Sequence, residues 1–186
     1  MNTINNKKLI GFAAYSGTGK TTLIKLIVKI LNKSNFKVSV IKHAHHDFDV
    51  DKAGKDSYEI RKSGAENMLI SSAKRWALMH ENTSNSELKL SDLINVLDTL
   101  DSDIILVEGF KAEKFPKIEL YRKEIGKGFL YTNDESIVAV ASDSKIDIDK
   151  NIKVLNINNP QEIVDYILKY LNIDYRLVFL VLGTLL

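Results

Sequence analysis

The feature that most constrains this chain is a glycine-rich turn that follows an apolar run and precedes a helical pattern. The apolar run is Leu9–Ala14, and residues 15–21 then read YSGTGKT. Glycines in such a turn let successive backbone N–H groups curve around an anion, and the N-terminus of the following helix adds the positive end of its dipole. The segment therefore predicts a phosphate-binding loop between a strand and a helix of an α/β fold.

Each side chain of this loop has an expected role. The ammonium group of Lys20 would lie against the β- and γ-phosphates of a nucleotide, as a catalytic residue, and the hydroxyl of Thr21 would face Mg²⁺. Ala14 stands where the usual pattern has its first glycine, and a small residue there still lets the chain turn. The residues predicted to bind the nucleotide phosphates are Ser16, Gly17, Thr18, Gly19, Lys20, Thr21 and Thr22.

A second carboxylate is expected to complete the magnesium site. The apolar run Ile104–Val107 is followed by Glu108 and then by Gly109. Because the carboxyl ends of parallel strands meet at one edge of a sheet, Glu108 is predicted to face Thr21 as a metal ligand and catalytic residue, directly or through water. The alternative is a buried strand that ends in a solvated acid.

Short apolar runs alternate with helical patterns along most of the chain. Continuous apolar runs are typical of strands covered on both faces of a mainly parallel sheet, so we expect an α/β, three-layer P-loop NTPase fold with helices on both faces. Trp76–His80 and Ile118–Tyr121 are more mixed and could form an antiparallel edge or hairpin. The other predicted strands are Leu9–Ala14, Val38–Lys42, Met68–Ser71, Ile104–Glu108, Ile137–Ala141 and Lys153–Ile157; the predicted helices are Thr21–Leu31, Gly54–Ser63, one that Ser91 caps, and Pro160–Leu171.

The bulk properties predict one domain over residues 1–174. The chain has 186 residues, a net charge of +2 and no cysteine. Its basic and acidic residues are interspersed, which argues against nucleic acid or a membrane as a partner, and the lack of cysteine excludes disulfides and thiolate metal sites. The apolar tail at 175–186 is shorter than the roughly 20 residues that a membrane helix needs. No signal peptide is recognised at the N-terminus, so a cytoplasmic location is expected.

A histidine- and acid-rich segment follows the predicted strand Val38–Lys42 and reads HAHHDFDVDKAGKDS over residues 43–57. Its position at the carboxyl edge of the sheet would bring it near the γ-phosphate and the magnesium. A transition-metal site and a solvated loop are the alternatives. The candidates for water or metal contacts are Asp47, Asp49 and Asp51, and those for an anionic partner are Lys42, Lys52 and Lys55.

Four segments together resemble the molybdopterin-guanine dinucleotide biosynthesis adapter (MobB) family. They read SGTGKTTL over 16–23, IKHAHHD over 41–47, DVDKAGKDS over 49–57 and VEGFK over 107–111. Arg75–Leu78 and Ala139–Asp143 match the family too. The segments run in the family's order and cover most of residues 9–172.

The resemblance implies a GTP-binding adapter with slow intrinsic hydrolysis that assists a molybdenum cofactor guanylyltransferase in joining GMP to molybdopterin. It implies GTP and Mg²⁺ as cofactors and a homodimer as the assembly. It also implies a catalytic role for Asp47, near the nucleotide, and pterin or partner contacts for His45, Asp51, Lys55 and Lys111.

The nucleobase and the rival functions remain open on the residues alone. No Asn-Lys-x-Asp motif is present, but Asp143 follows the strand Ile137–Ala141 and could accept hydrogen bonds from the N1 and N2 donors of guanine; a simple turn acid is the alternative. Arg61, Arg75 or a partner subunit could supply an arginine to the phosphates. The rival functions are a small-molecule kinase and a metallochaperone GTPase.

Overall fold

The structure, a computed structural model, describes residues 7–44, 48–82, 87–148 and 151–173. The chain divides into two compact units, a larger one from residues 1–43 and 90–186 and a smaller one from residues 44–89. The single domain over 1–174 stays a prediction, and the apolar tail at 175–186 lies outside the described residues.

The strands and helices alternate much as the apolar runs predict. The strands are β1 (Leu9–Ala14), β2 (Val38–Lys42), β3 (Asn67–Ser71), β4 (Trp76–His80), β5 (Ile104–Glu108), β6 (Lys117–Tyr121), β7 (Ile137–Ser142) and β8 (Lys153–Asn156). The helices are α1 (Lys20–Lys33), α2 (Asp56–Lys62), α3 (Leu90–Leu97) and α4 (Pro160–Tyr170). Among the described residues, no helix has the length and apolar character to cross a bilayer.

The larger unit is built on a six-stranded sheet in the order β2-β5-β1-β6-β7-β8. All its neighbouring strands pair in parallel, so their carboxyl ends lie at one edge. The strand β1, which leads into the glycine loop (residues 15–19), lies between β5 and β6. That position brings the residues after β5 and β6 to either side of the loop.

The sheet has an apolar core on each face. Successive side chains of β5 alternate between the two: Ile104 and Leu106 belong to the core that also contains residues of α1 and α4, whereas Ile105 and Val107 belong to the core that contains residues of α3. This alternation follows from the period of two along a strand. It gives three layers and explains why β5 is apolar from Ile104 to Val107.

The expectation for Ile118–Tyr121 is wrong. β6 is an interior parallel strand between β1 and β7 rather than an antiparallel edge. Its sequence is mixed because it buries two charged side chains, Lys117 and Glu119, each of them 1% exposed. Lys117 binds Asp134 at 2.9 Å and three other acceptors, and Glu119 accepts hydrogen bonds from the backbone N–H groups of Leu130 and Tyr131.

The smaller unit contains α2 and an antiparallel hairpin of β3 and β4. Trp76–His80 therefore forms the expected hairpin, with β3 as its partner, and the pair is a separate two-stranded sheet. Leu69 and Leu78 lie opposite each other, and both are at least half exposed.

Two predicted helix starts have different outcomes. Asn159 caps α4 as expected, because its side chain accepts a hydrogen bond from the N–H of Glu162 at 3.4 Å and Pro160 follows it. Ser91 is not a cap, since α3 already begins at Leu90. The carboxylate of Glu113 accepts from the N–H of Leu90 at 2.8 Å and so satisfies one of the amides at the start of α3.

Candidate functional site

The glycine loop curves at the carboxyl end of β1 and leads directly into α1. Gly17 and Gly19 have φ values of 83° and 89°, in the left-handed region that glycine enters without strain. Ala14, in place of the usual glycine, is simply the last residue of β1. α1 begins with no side-chain cap and no acidic residue in its first turn, so its N-terminal amides remain available to an anion.

The side chains of Thr21, Lys20 and Lys42 converge on the carboxylate of Glu108. The hydroxyl of Thr21 donates to Oε1 of Glu108 at 3.2 Å. The ammonium groups of Lys20 and Lys42 lie 3.9 Å and 3.7 Å from the two carboxylate oxygens. The Glu108 side chain is only 13% exposed, so the predicted meeting of β1 and β5 brings a hydroxyl, a carboxylate and cations together in a sheltered place.

The turn that follows Glu108 is shaped by His43. Gly109 and Phe110 have φ values of 103° and 52°, and a Cβ atom on Gly109 would lie 2.5 Å from the Cβ of His43. The rings of His43 and Phe110 are in contact at 4.8 Å between centroids, and the N–H of His43 donates to the carbonyl of Glu108 at 2.8 Å. Only glycine fits this close approach at position 109, and the packing fixes where the Glu108 carboxylate lies.

A cleft of about 240 Å³ lies over these groups, lined by Tyr15, by the whole predicted phosphate-binding segment from Ser16 to Thr22, and by Glu108. Burial lowers the pKa of Lys20, and the neighbouring charges of Lys111 and Lys42 lower it further, against the opposing effect of Glu108. A bound polyanion would relieve the repulsion among these lysines. The cleft is therefore suited electrostatically to phosphates.

The oxygens in the cleft also fit a hard divalent cation. Mg²⁺ prefers oxygen ligands and keeps several waters, so one hydroxyl and one carboxylate beside a phosphate site meet its usual needs. Thr21 and Glu108, 3.2 Å apart, are the two protein groups that would hold it.

Asp143 lies at the same edge of the sheet, directly after β7, but its carboxylate is not free. Arg122 donates to Oδ2 of Asp143 at 3.4 Å, and the N–H of Lys123 donates to Oδ1 at 3.2 Å. Arg122 also donates through Nε to the carbonyl of Thr18 in the glycine loop at 3.1 Å. Arg122 thus links Asp143, which is predicted to bind the guanine base, to the predicted phosphate site.

Sequence reasoning missed Arg122. It belongs to no recognised motif, and β6 looked like an edge strand. The signal that identified Glu108 and Asp143, a polar residue at or directly after the carboxyl end of a strand of the parallel sheet, applies to Arg122 as well. Once β6 is known to be interior, the position of Arg122 follows.

The residues for which the family resemblance implies nucleotide, pterin or partner contacts fall in three places. His45 and Asp47 lie outside the described residues. Lys111 belongs to the larger unit, where its charge acts on Lys20. Asp51 and Lys55 belong to the smaller unit, where Oδ1 of Asp51 accepts from the hydroxyl of Ser57 at 3.0 Å and Lys55 directly precedes α2. The part of the chain that the structure describes holds no cluster of three metal-ligating side chains.

Arg61, an expected donor to the phosphates, is already engaged. Its guanidinium binds Asp49 at 2.6 Å and also Glu81, and the side chain is only 7% exposed. The hydrogen bonds to Glu81 and Asp49 raise the pKa of Arg61 above its usual range. Arg61 therefore connects Asp49 and Glu81 within the smaller unit, and both ion pairs would have to break before its guanidinium could contact a ligand.

Comparisons with known proteins agree with this architecture. The model of the family described as "Molybdopterin guanine dinucleotide synthesis protein B" matches residues 9–143. The molybdopterin-guanine dinucleotide biosynthesis adapter protein of Escherichia coli (strain K12) is 44% identical over 164 residues, 88% of this chain and 93% of its own length. The protein of the same description from Haemophilus influenzae is 39% identical over 168 residues, 90% of this chain and 92% of its own length.

Solved structures give the same fold. A structure of Bacillus subtilis MobB has a TM-score of 0.67 at 20% identity and covers 87% of this chain and 96% of its own. An X-ray structure of a MobB homologue from Bacillus stearothermophilus has a TM-score of 0.66 at 19% identity, over 90% and 99% of the two chains. These structures confirm the predicted P-loop NTPase fold class. The family match over residues 9–143 and the relatives at 44% and 39% identity show that the chain belongs to the MobB family.

Proposed function

We propose that this protein is a GTP-binding adapter in the biosynthesis of molybdopterin guanine dinucleotide. The adapter role comes from its relatives, which bear that description in two bacteria at 44% and 39% identity. One observation carries the nucleotide part of the proposal: Thr21, Lys20 and Glu108 converge beside a glycine loop whose amides are uncapped.

In this proposal the triphosphate occupies the cleft from Ser16 to Thr22. The loop amides hold the phosphate oxygens. The ammonium group of Lys20 pairs with the phosphate charge, and this pairing offsets the cost of burying an unpaired ammonium group. Mg²⁺, held by Thr21 and Glu108, would supply further charge neutralisation. Lys111 adds positive charge beside the γ-phosphate, where a pterin phosphate could also approach.

Slow hydrolysis belongs to the same proposal. Rapid hydrolysis needs a positioned water and an additional positive charge on the transferring phosphoryl group. Arg61, one of the arginines that could supply this charge besides Arg75 and a partner subunit, is held by Asp49 and Glu81 inside the smaller unit. Binding rather than turnover is then the working state, which suits an adapter.

The proposed partners are molybdopterin, a molybdenum cofactor guanylyltransferase and a second copy of this chain. An exposed apolar surface is the proposed contact with the second copy. It is one face of the β3–β4 hairpin, where the side chains of Leu69, Trp76 and Leu78 are 59%, 53% and 50% exposed. Isolated hairpins with an apolar face are marginal in water unless something packs on them. The proposal puts the protein in the cytoplasm, where GTP is available.

The test is a calorimetric titration of the purified protein with GTP, ATP and molybdopterin, each with and without Mg²⁺. GTP should bind most tightly and lose affinity when Mg²⁺ is removed, and the protein should stimulate GMP transfer by the guanylyltransferase. Rapid release of a nucleoside diphosphate that depends on one small acceptor would instead identify a metabolite kinase and contradict the proposal.

A further inference from the structure

Arg122 joins three of the polypeptide segments that emerge at the carboxyl edge of the sheet. It directly follows β6, and its guanidinium donates to one acceptor on each segment. The acceptors are the carbonyl oxygen of Thr18 at 3.1 Å, Oδ2 of Asp143 at 3.4 Å and Oδ1 of Asn158 at 3.3 Å. These residues follow β1, β7 and β8 in turn, so a single side chain fixes their relative positions.

The carboxylate of Asp143 is held in a fixed orientation. Besides Arg122, the backbone N–H of Lys123 donates to Oδ1 of Asp143 at 3.2 Å. The turn that carries it is also braced, because the hydroxyl of Ser142 accepts from the N–H of Ser144 at 3.1 Å and donates to its carbonyl at 2.9 Å. Each oxygen of an ionised carboxylate has two lone pairs, so both oxygens can still accept one further hydrogen bond.

The amide of Asn158 has only one possible orientation against this arginine. A guanidinium has donors and no acceptor, so the amide oxygen of Asn158 must face it. The amide nitrogen then points away and offers N–H donors. Asn158 is exposed and follows β8, the strand next to the one that carries Asp143.

We propose that Arg122 and Asn158, together with Asp143, form a guanine-selecting frame, in which Arg122 is a positioning residue that also links the base site to the phosphate loop. The proposal rests on the nucleotide binding proposed above and adds how the base is chosen. Guanine presents an acceptor at O6 and donors at N1 and N2 along one edge. The frame presents the complement, a donor from Asn158 and two acceptors from Asp143.

Adenine does not fit this frame. It places an amino donor at position 6, where Asn158 also presents a donor, and an acceptor at N1, where the carboxylate presents acceptors. A site built from polar groups rejects a base that leaves those groups unpaired. Because Arg122 also donates to the carbonyl of Thr18, the same guanidinium sets the distance between Asp143 and the phosphate loop.

The test compares Asn158→Asp and Arg122→Lys with the wild-type protein, using GTP, ITP, ATP and inorganic tripolyphosphate in calorimetry. Asn158→Asp replaces the donor that faces O6 with an acceptor. GTP and ITP share O6, so both should lose affinity by the same factor, at least about 10-fold, while ATP gains and tripolyphosphate is unchanged. In Arg122→Lys a point cation cannot hold three acceptors, so the preference for GTP over ATP should fall by about 10-fold.

Asn133→Asp is the matched control, since it makes the same change before β7, at the opposite edge of the sheet, and should alter none of these affinities. Retention of the full GTP preference by both variants would overturn the frame. Equal binding of GTP and ATP by the wild-type protein would overturn it as well, yet leave the phosphate site intact. Failure of the wild-type protein to bind either GTP or tripolyphosphate would instead overturn the proposed function itself.

Discussion

Glu108 receives three partners from two different segments of the chain, and that convergence gives the candidate site its chemistry. Thr21 comes from α1, Lys42 ends β2 and Lys20 opens α1, yet all three reach one carboxylate. A carboxylate among lysines in a sheltered cleft is costly to remove from water unless the charges balance. A triphosphate with Mg²⁺ would balance these charges, because Mg²⁺ would pair with Glu108 in place of the lysines and the phosphates would pair with the lysines.

The hydroxyl of Thr21 should control the magnesium dependence of GTP binding. Thr21→Val keeps the shape of the side chain and removes its oxygen, so the gain in GTP affinity on adding Mg²⁺ should shrink by about 10-fold, whereas affinity without Mg²⁺ should be unchanged. Titrations at zero and saturating Mg²⁺ measure this difference. Thr99→Val makes the same change in an exposed turn after α3 and should leave the gain intact. An unaltered gain in Thr21→Val would remove Thr21 from the metal site.

At the residue scale the sequence predicted the groups with local signatures and missed those that depend on distant partners. The glycine loop, Lys20, Thr21 and Glu108 were predicted because each stands at a strand end or in a known spacing. Arg122 has no such signature, and its contacts with Asp143 and Asn158 span 21 and 36 residues of sequence.

At the scale of elements, the turn after β5 depends on close packing between Gly109 and His43. Gly109→Ala would place a Cβ 2.5 Å from the Cβ of His43, at a φ of 103° that an L-residue rarely adopts. Gly64→Ala is a matched control, since its φ is 111° but nothing lies within 4 Å of the added atom. Gly109→Ala should therefore lower the free energy of unfolding by about 2 kcal/mol more than Gly64→Ala, because of overpacking.

The same pair of variants also tests the link between the turn and the site. Gly109→Ala should displace the Glu108 carboxylate and weaken magnesium-dependent GTP binding, whereas Gly64→Ala should bind as the wild-type protein does. Urea unfolding and calorimetry measure the two effects. Equal stability losses in the two variants would mean that His43 does not fix this turn.

The buried ammonium group of Lys117 makes the β6–β7 connection sensitive to acid. Burial alone would raise the pKa of Asp134, but hydrogen bonds from Ser136 and Lys117 outweigh it and hold that pKa well below its usual range. A carboxyl whose pKa is lower in the folded protein stabilises the fold above its unfolded pKa of about 4, and this contribution is lost as the pH falls toward the folded value.

Asp134→Asn should therefore cost about 3 kcal/mol at pH 7, since it removes the charge that balances Lys117, and distinctly less at pH 3. Urea unfolding at the two pH values measures the difference. Asp98→Asn removes a carboxylate that pairs with Lys7 on the surface at 2.7 Å, and should cost less than about 1 kcal/mol at pH 7. A loss in Asp134→Asn that stayed the same at both pH values would contradict the assigned role of this ion pair.

Interior strands with a continuous apolar run could be predicted from the sequence, whereas the interior position of β6 could not. Ile104–Val107 of β5 and Ile137–Ala141 of β7 are apolar because both faces are covered, so their sequences identified them as interior strands. β6 alternates charged and apolar residues, which is the pattern of a half-exposed strand. Its charges are buried only because Asp134, Ser136 and the N–H groups of residues 130 and 131 satisfy them, and no local pattern shows partners that far away.

At the scale of the whole molecule, the exposed face of the hairpin bears on assembly. Leu69 and Leu78 are cross-strand neighbours, and Trp76 lies on the same face two residues from Leu78. Leu78→Lys would place a charge in this face and leave the sequence of the glycine loop unchanged. We expect the variant to sediment with a lower mass than the wild-type protein, which should be a dimer, and to keep its affinity for tripolyphosphate.

Leu88→Lys makes the same change at another exposed leucine and should leave the dimer intact. A monomeric wild-type protein, or a dimer that Leu78→Lys does not weaken, would contradict the assignment of this face to the dimer interface.

The affinity of GTP for Lys20→Ala in the presence of Mg²⁺, determined by calorimetry, tests directly whether the cleft over the glycine loop is the nucleotide site. Lys25→Ala is the control, because Lys25 lies one turn further along α1 and is exposed. We expect Lys20→Ala to keep the wild-type free energy of unfolding and to lose about 100-fold in GTP affinity, whereas Lys25→Ala should bind GTP as the wild-type protein does. Unchanged GTP affinity in Lys20→Ala would contradict the assignment of this cleft as the nucleotide site.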